Sequence, residues 1–283
     1  MLSVIIPANN EEALLGTCLE SLLASEPPAC CVEIVVVANG CNDNTAGIAR
    51  EFQTRVEARG WKMQVLDLTK GGKIRALNAG DAVASLPWRA YLDADVTVSP
   101  TLLDQLCRAL DGPKARYASG NLRITAEGWV SKAYAATYRK VPFIARGVPG
   151  CGLFAVNAAG RARWGQFPDI ISDDTFVRLL FRQEERIAVK ARYNWPLVEG
   201  FGNLVRVRRR QDRGVRQVAA LYPELCKNDE KSVLGISGKL ALLARNPVGF
   251  TMYSSVALAV RLGDTNSGLA GVNANLPDWS RGR

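Results

Sequence analysis

Three times before residue 90 the chain passes from a short apolar run through a polar turn into a helical pattern, and a fourth apolar run then follows. The runs centre on Val4 to Ile6, Glu33 to Val37, Met63 to Leu68 and Trp88 to Leu92. Short runs of this kind suit strands covered on both faces. The first helical pattern carries Leu14, Leu15, Leu19, Leu22 and Leu23, with Asn10 as its expected N-cap and Glu11 and Glu12 suiting the helix dipole. Pro27 and Pro28 close that unit. The turn from Ala38 to Thr45 opens the second helix, and Thr69 to Lys73 opens the third, which continues through Ile74, Leu77 and Asn78. Such alternation predicts an α/β fold: a mostly parallel central sheet, Rossmann-like, with helices on both faces.

Open α/β sheets bind ligands beyond the carboxyl ends of their strands. Those ends carry Pro7 to Glu11, Ala38 to Asp43, Lys70 to Lys73, and the pair Asp93 and Asp95. Alternate positions on extended chain point the same way, so Asp93 and Asp95 can face one ligand. Oxygen-only donors favour Mg²⁺ or Mn²⁺, with Mg²⁺ held by one or two carboxylates plus substrate phosphates. The lysines at a helix start suit phosphate, or else stand as a solvated first turn. Together these loops fit a nucleoside diphosphate with a divalent cation. No G-x-G-x-x-G follows the first strand and no G-x-x-x-x-G-K-[ST] occurs, which argues against a dinucleotide site and a P-loop.

The net charge of +9 points to an anionic partner. Its basic residues are dispersed outside 206 to 213 and no nucleic-acid motif is present, so nucleic acid is not the expected partner. The absence of histidine excludes Ser-His-Asp and Cys-His catalysis and leaves a carboxylate as the expected general base. The seven cysteines form no C-x-x-C pair and read as scattered reduced thiols of a cytosolic protein. No signal-peptide pattern opens the chain, and no apolar run reaches the roughly 18 residues of a membrane span.

Past Asp95 the alternation becomes irregular. Ala115 to Thr125 reads as one or two strands, and Glu127 to Val141 as an amphipathic helix whose Trp129, Tyr134 and Tyr138 are expected in the core rather than stacked on a ligand. Gly150, Cys151 and Gly152 precede an apolar strand, either as a tight turn or as backbone able to approach a ligand closely. Ser172 or Asp173 can cap the helix through Phe176 and Leu179, while the pair Asp173 and Asp174 also supplies a candidate base.

The ordered motifs I-P-A-N-N-E-E, V-V-V-A-N-G-C-N-D-N-T, K-G-G-K-I-R-A-L-N-A-G and Y-L-D-A-D-V resemble a family 2 glycosyltransferase with the GT-A fold, over residues 1–215. The resemblance implies an inverting transferase that uses a nucleotide-diphospho-sugar with Mn²⁺ or Mg²⁺. It places Pro7, Ala8, Asn10, Glu11, Asn39 and Lys73 about the nucleotide, with uridine as the expected base. Asp93 would contact the ribose or the metal shell, and Asp95 would ligate the metal. Gly150, Cys151 and Gly152 would lie beside donor sugar and acceptor, Asp174 would be the catalytic base, and Asp173 would position the acceptor. Arg210 and Arg213 resemble a Q/R-x-x-R-W motif that closes over the diphosphate, and arginine forks suit phosphate oxygens. The chain departs from the family at Asn9, where an aromatic is usual, at Ala38 and Asn39, where two aspartates are frequent, and at Gly214, which replaces the tryptophan. A nucleotidyltransferase or a non-catalytic nucleotide-sugar-binding protein is the alternative. The former would carry a glycine- and arginine-rich loop after the first strand, and Pro7 to Glu12 is not one.

The expected division is a catalytic unit at 1–215, split into a nucleotide half (1–96) and an acceptor half (97–215), and a helical extension and tail at 216–283. Residues 239–262 read as two amphipathic helices joined at Asn246 and Pro247, with Lys239, Arg245 and Arg261 interspersed. They can pack on the catalytic unit or lie on an anionic membrane surface. The resulting expectation is a cytoplasmic protein, at the inner face of the membrane if the second applies, acting on a glycan or lipid-linked acceptor.

Overall fold

A computed structural model of the protein describes residues 1–229 and 234–265. Strand β1 (Leu2–Ala8) is followed by α1 (Glu12–Leu23), β2 (Val32–Asn39), α2 (Thr45–Glu51), α3 (Gln53–Ala58), β3 (Lys62–Leu68), α4 (Lys73–Val83) and β4 (Trp88–Leu92). These four strands pair in parallel in the order β3-β2-β1-β4. The apolar runs are buried on both sides, as parallel strands between helical layers must be. Along β1, Leu2, Val4, Ile6 and Ala8 enter one core while Ile5 enters the other, and β2 divides Ile34 and Val36 from Val35 and Val37 in the same way.

The second half extends this sheet. After β5 (Thr97–Val98) and α5 (Leu102–Leu110) come β6 (Tyr117–Thr125), α6 (Trp129–Tyr138), the single turn α7 (Pro142–Ala145), β7 (Leu153–Val156) and the short α8 (Ala158–Arg161). Then follow α9 (Asp173–Leu179), β8 (Arg186–Pro196), the long α10 (Phe201–Leu221), α11 (Ile236–Arg245) and α12 (Pro247–Thr265). The eight strands lie in the order β3-β2-β1-β4-β7-β6-β8-β5, with β7 antiparallel to both β4 and β6. Ala115 to Thr125 is thus one strand. The break between α11 and α12 falls at Asn246 and Pro247, as expected of a residue that cannot continue a helix but suits a first turn.

A third core forms where α12 packs on α6 and α10: Val256 and Val260 meet Tyr134, Tyr138, Leu197, Leu204 and Val205. The inner face of α12 therefore shares a core with α6 and α10, and α10 runs unbroken through the expected boundary at 215/216. The expected change of character at Ser232, and the tail beyond 265, lie outside the described residues. No helix among the described residues is long and apolar enough to cross a membrane.

Three local expectations are corrected. Asn10 does not cap α1; it takes φ 53°, the left-handed conformation that Asn tolerates, and Glu11 holds the cap position without a side-chain bond. Trp129 is not in the core: at the first position of α6 it is 71% exposed. Cys30 and Cys107 are not separate thiols but a disulfide, their Cα atoms 6.1 Å apart. The loop before β2 is laid against α5, where Asp104 also accepts from the Ala29 N–H at 3.0 Å, and that packing brings together two cysteines 77 positions apart.

Candidate active site

The loops after β1, β2, β3 and β4 meet at one end of the sheet. Asn39, fully buried at the end of β2, ties three of them: its Nδ2 donates to the Ala8 carbonyl at 2.8 Å and its Oδ1 accepts from the Gly72 N–H at 3.0 Å. Asn9 reaches the other way, donating to the Asn39 carbonyl at 2.5 Å. Gly40, at φ 56°, lies so close to Gly71 that a Cβ would stand 2.5 Å from its nitrogen, so the β2 and β3 loops interlock through glycine. Asn10 accepts from the Asn42 N–H at 2.8 Å, and the Glu11 N–H donates to Thr45 Oγ1 at 2.7 Å.

After β4 the chain turns: the Val96 N–H bonds the Asp93 carbonyl at 3.1 Å, and the Asp93 N–H bonds the Gly152 carbonyl at 2.9 Å. Ala94 and Val96 are buried, while Asp93 and Asp95 between them are partly open. The expected alternation holds even though the segment is a turn, because the apolar side chains are pulled under the sheet and the acids left outside. Gly150 and Gly152, at φ 70° and 72°, carry the opposing loop into β7. A Cβ on Gly152 would stand 2.7 Å from Trp195 and 2.9 Å from Val96, so this turn passes where only glycine fits.

Lys73, at the start of α4, joins the two acidic segments. Its ammonium lies 3.0 Å from Asp93 Oδ1 and 3.1 Å from Asp173 Oδ1. Burial alone would lower the lysine's pKa, but the carboxylates of Asp173, Asp93 and Asp174 outweigh it and hold the group protonated, above its ordinary range. Asp173 is almost wholly buried, and burial raises its carboxyl despite the Lys73 charge. Asp174 is partly open to the cavity and accepts from the Thr175 N–H at 2.7 Å. Burial, then the neighbouring Asp173 charge, pushes its carboxyl up to about 6. Ser172 holds the cap position of α9 without a side-chain cap bond.

These groups open on one cavity of about 490 Å³. Of the residues singled out by sequence, Pro7, Lys73, Asp93, Asp95, Cys151, Gly152, Asp173, Asp174 and Arg210 line it. Gly150 lines a smaller recess beside it that shares Pro7, Lys73 and Asp174. Ala8 and Glu11 are buried behind the wall, Asn39 is taken up by the loop contacts above, and Asn10, Lys70 and Arg213 are exposed outside it. Gly214 supports α10 from below: a Cβ there would collide with Ser172, so a tryptophan cannot occupy this position as the helix is packed.

Sequence reasoning did not foresee the far wall. Tyr134 and Tyr138 of α6, Phe143 of α7, Trp195 and Leu197 at the end of β8, and Tyr253 of α12 line the same cavity. Arg208 lies there too, bonded to Asp212 at 2.9 Å and to the Tyr134 hydroxyl at 3.4 Å. Arg178 lines another part of the wall, 2.7 Å from Asp229. The sequence marked Arg208 through the basic run at 206–213, and Tyr134 and Tyr138 as core residues of a helix, which they are while also lining the cavity; Phe143, Arg178 and Trp195 carried no signal.

A profile described as "Glycosyl transferase family 2" matches residues 3–164. Among curated proteins, 4,4'-diaponeurosporenoate glycosyltransferase of Staphylococcus aureus (strain USA300) is 36% identical over 99 residues, which is 34% of this chain and 24% of that protein. This chain thus matches about a quarter of the length of that relative. Among solved structures, the mannosyltransferase PcManGT from Pyrobaculum calidifontis, in complex with GDP-Man and Mn²⁺, superposes with a TM-score of 0.57 at 19% identity, over 95% of this chain and 80% of that one. TarS 1–349 of Staphylococcus aureus, in complex with UDP-GlcNAc, gives 0.54 at 14% identity, over 93% and 92%. At these identities the likeness to both structures is one of fold.

Proposed function

This chain belongs to glycosyl transferase family 2, and we propose that it moves a sugar from a nucleotide-diphospho-sugar to an acceptor hydroxyl with inversion at the anomeric carbon. The observation that carries this is the meeting of Asp93, Asp95, Lys73 and Asp174 in one cavity. The solved relatives of the same fold hold UDP-GlcNAc and GDP-Man; a uridine nucleotide is our assignment here. Pro7, Ala8, Asn10 and Glu11 form the loop on which the nucleotide rests, with Asn39 shaping that loop from beneath. Arg210 meets the diphosphate, and Arg213 adds positive charge at longer range.

The donor set suits a divalent cation. Asp93 and Asp95 offer oxygen alone, and one Asp93 oxygen is taken by Lys73. Among the described residues no group of three or more His, Cys, Asp or Glu could hold a metal without help. Two carboxylates that leave positions for phosphate oxygens and water are the usual arrangement for Mg²⁺, and Mn²⁺ accepts the same donors. Asp95, with Asp93, would hold the ion, which when bound neutralises charge on the departing diphosphate.

In the reaction the acceptor oxygen attacks the anomeric carbon from the face opposite the diphosphate. The bond from that carbon to the phosphate oxygen breaks and its electron pair leaves with the nucleoside diphosphate. Asp174 takes the hydroxyl proton, and a single displacement of this kind inverts the centre. Gly150, Cys151 and Gly152 border the donor sugar. Asp173 fixes Lys73 and with it the start of α4, and positions the acceptor through its neighbour Asp174.

We also assign a peripheral position on a membrane surface. Ile236, Leu240 and Leu243 are exposed at helical spacing on one face of α11, with Ile236 79% exposed and Lys239 beside them. On α12 Val248, Leu258 and Leu262 are exposed, with Arg261 adjacent. Acceptors there would be lipid-linked, or a glycan growing at that surface.

The test is a thermal-shift series with UDP- and GDP-sugars, with and without Mn²⁺, on the unmutated chain and on Asp95→Ala. Ligands that bind the folded state raise its apparent stability. A nucleotide-sugar shift that needs Mn²⁺ and disappears in Asp95→Ala supports the reading. Equal shifts in EDTA and Mn²⁺ remove the metal role, and no shift with any nucleotide-sugar removes the function.

A further inference from the structure

Arg178 has no task in the reaction as described above, yet it is a buried cation on the wall of the reaction cavity. It is 5% exposed, lines the cavity and lies four residues beyond Asp174 on α9, so the two share one face of that helix. The Cys151 thiol is within electrostatic reach of both.

An arginine carries five N–H groups in a planar fork. Arg178 donates from Nη2 to Asp229 at 2.7 Å, while its buried Nε has no partner among the described residues. The guanidinium stands 5.0 Å over the Phe143 ring. Stacking of that kind occupies the face of the guanidinium and leaves its in-plane N–H groups to other partners. The counter-ion is a partly solvated one, since the Asp229 side chain is 37% exposed. Two other cations of the cavity are each held by two groups: Lys73 by Asp93 and Asp173, and Arg208 by Asp212 and the Tyr134 hydroxyl.

A buried cation with donors left over is costly. A neutral hydroxyl would accept one bond and leave the charge where it is. A carboxylate or phosphate accepts two bonds in the plane of the fork and neutralises it, and bonds between ionised partners are roughly twice as strong as neutral ones.

We propose that the acceptor carries an anionic group, a carboxylate or a phosphate, close to its reactive hydroxyl, and that Arg178 receives this group while Asp174 receives the hydroxyl. The inference rests on the glycosyltransferase reading and narrows its acceptor to an acidic one. The displacement balances as written above: the hydroxyl oxygen gains the bond to the anomeric carbon, its proton passes to Asp174, and the nucleoside diphosphate departs. The anionic group forms and breaks no covalent bond.

The experiment is calorimetry on the full chain saturated with UDP and Mn²⁺, so that the diphosphate positions are filled before an acidic probe is added. Glucuronate, glucose 6-phosphate and glucose are titrated in turn. At least one of the two anions should bind, and whichever binds more tightly names the group, while glucose at the same concentrations should bind at least tenfold more weakly. Arg178→Met should weaken the anion about ten- to a hundredfold, the usual loss for hydrogen bonds to a charged group, with the thermal shift given by UDP unchanged. Asp229→Asn keeps Arg178 and removes its built-in competitor, so it should tighten the anion about two- to fivefold. An ion pair with a purely structural role would give no such gain. Binding of neither anion to the unmutated protein, glucose bound as tightly as the anions, or anion affinity that Asp229→Asn leaves unchanged or lowers would overturn the proposal. A UDP shift without anion binding defeats the acidic acceptor alone. No shift with UDP or any nucleotide-sugar in the unmutated protein defeats the glycosyltransferase reading beneath it.

Discussion

The Lys73 ammonium stands 3.1 Å from Asp173 Oδ1 and so ties the first turn of α4 to the first turn of α9. Each belongs to a different half of the fold, the β-α units and the irregular extension. The same ammonium reaches Asp93 at 3.0 Å. One cation therefore holds the turn that carries Asp93 and Asp95 and the candidate base segment in fixed relation.

Removing that cation should cost stability. Lys73→Met leaves Asp173, whose side chain is 5% exposed, as a buried charge without its ion pair. Breaking a buried pair from one side costs about 3–5 kcal/mol. Urea denaturation should show a loss near the lower figure, and Lys73→Met with Asp173→Asn should recover part of it, since neither charge then remains. A single variant as stable as the unmutated protein would mean the pair contributes nothing.

Asp174→Asn should reduce turnover about 10²- to 10⁴-fold, the usual effect of losing a general base. The amide keeps the shape and can still accept from the Thr175 N–H that bonds Asp174 at 2.7 Å. Donor affinity, measured by calorimetry, should change little. Undiminished turnover would return Asp174 to a purely structural role at the helix start.

The pH profile follows from the same group. Asp174 must be ionised to take a proton, and its carboxyl is raised to about 6. The kcat/KM should therefore fall as pH drops through about 6 and level off above it, because this parameter reports the free enzyme. Asp173→Asn removes a neighbouring negative charge that helps to raise Asp174, so its acid limb should move to lower pH. A limb that moves upward or stays fixed would separate Asp174 from the observed ionisation.

Vesicle flotation addresses the membrane assignment. The unmutated chain should float with anionic vesicles at low salt and be released as salt rises, since basic residues near such a surface contribute about 1 kcal/mol each and are screened. Ile236→Asp with Leu240→Asp alters exposed side chains of α11 and should abolish flotation without lowering Tm. Equal flotation of the two proteins would place the contact elsewhere.

Much of this protein was written locally in the sequence. Apolar runs such as Val4 to Ile6 and Glu33 to Val37 became β1 and β2 because a strand's burial on both faces leaves its mark residue by residue. The acids Asp93 and Asp95 could be read as a pair because alternate positions share a side, and strand ends gather at one edge of a parallel sheet whatever the loops contain. The resemblance through four ordered motifs supplied the family. Packing decided the rest. Asn39 stands in the nucleotide motif, but its amide is spent on Ala8 and Gly72 because three loops converge on it. Cys30 met Cys107 through the seating of a loop on α5. Trp129 and Tyr134 share one helix, yet the first is exposed and the second lines the cavity. A periodic pattern says which residues are apolar; it does not say which of them another helix will cover. That was settled by α12, packed against α6 from more than a hundred residues downstream in the chain, and with it the tyrosine wall of the cavity.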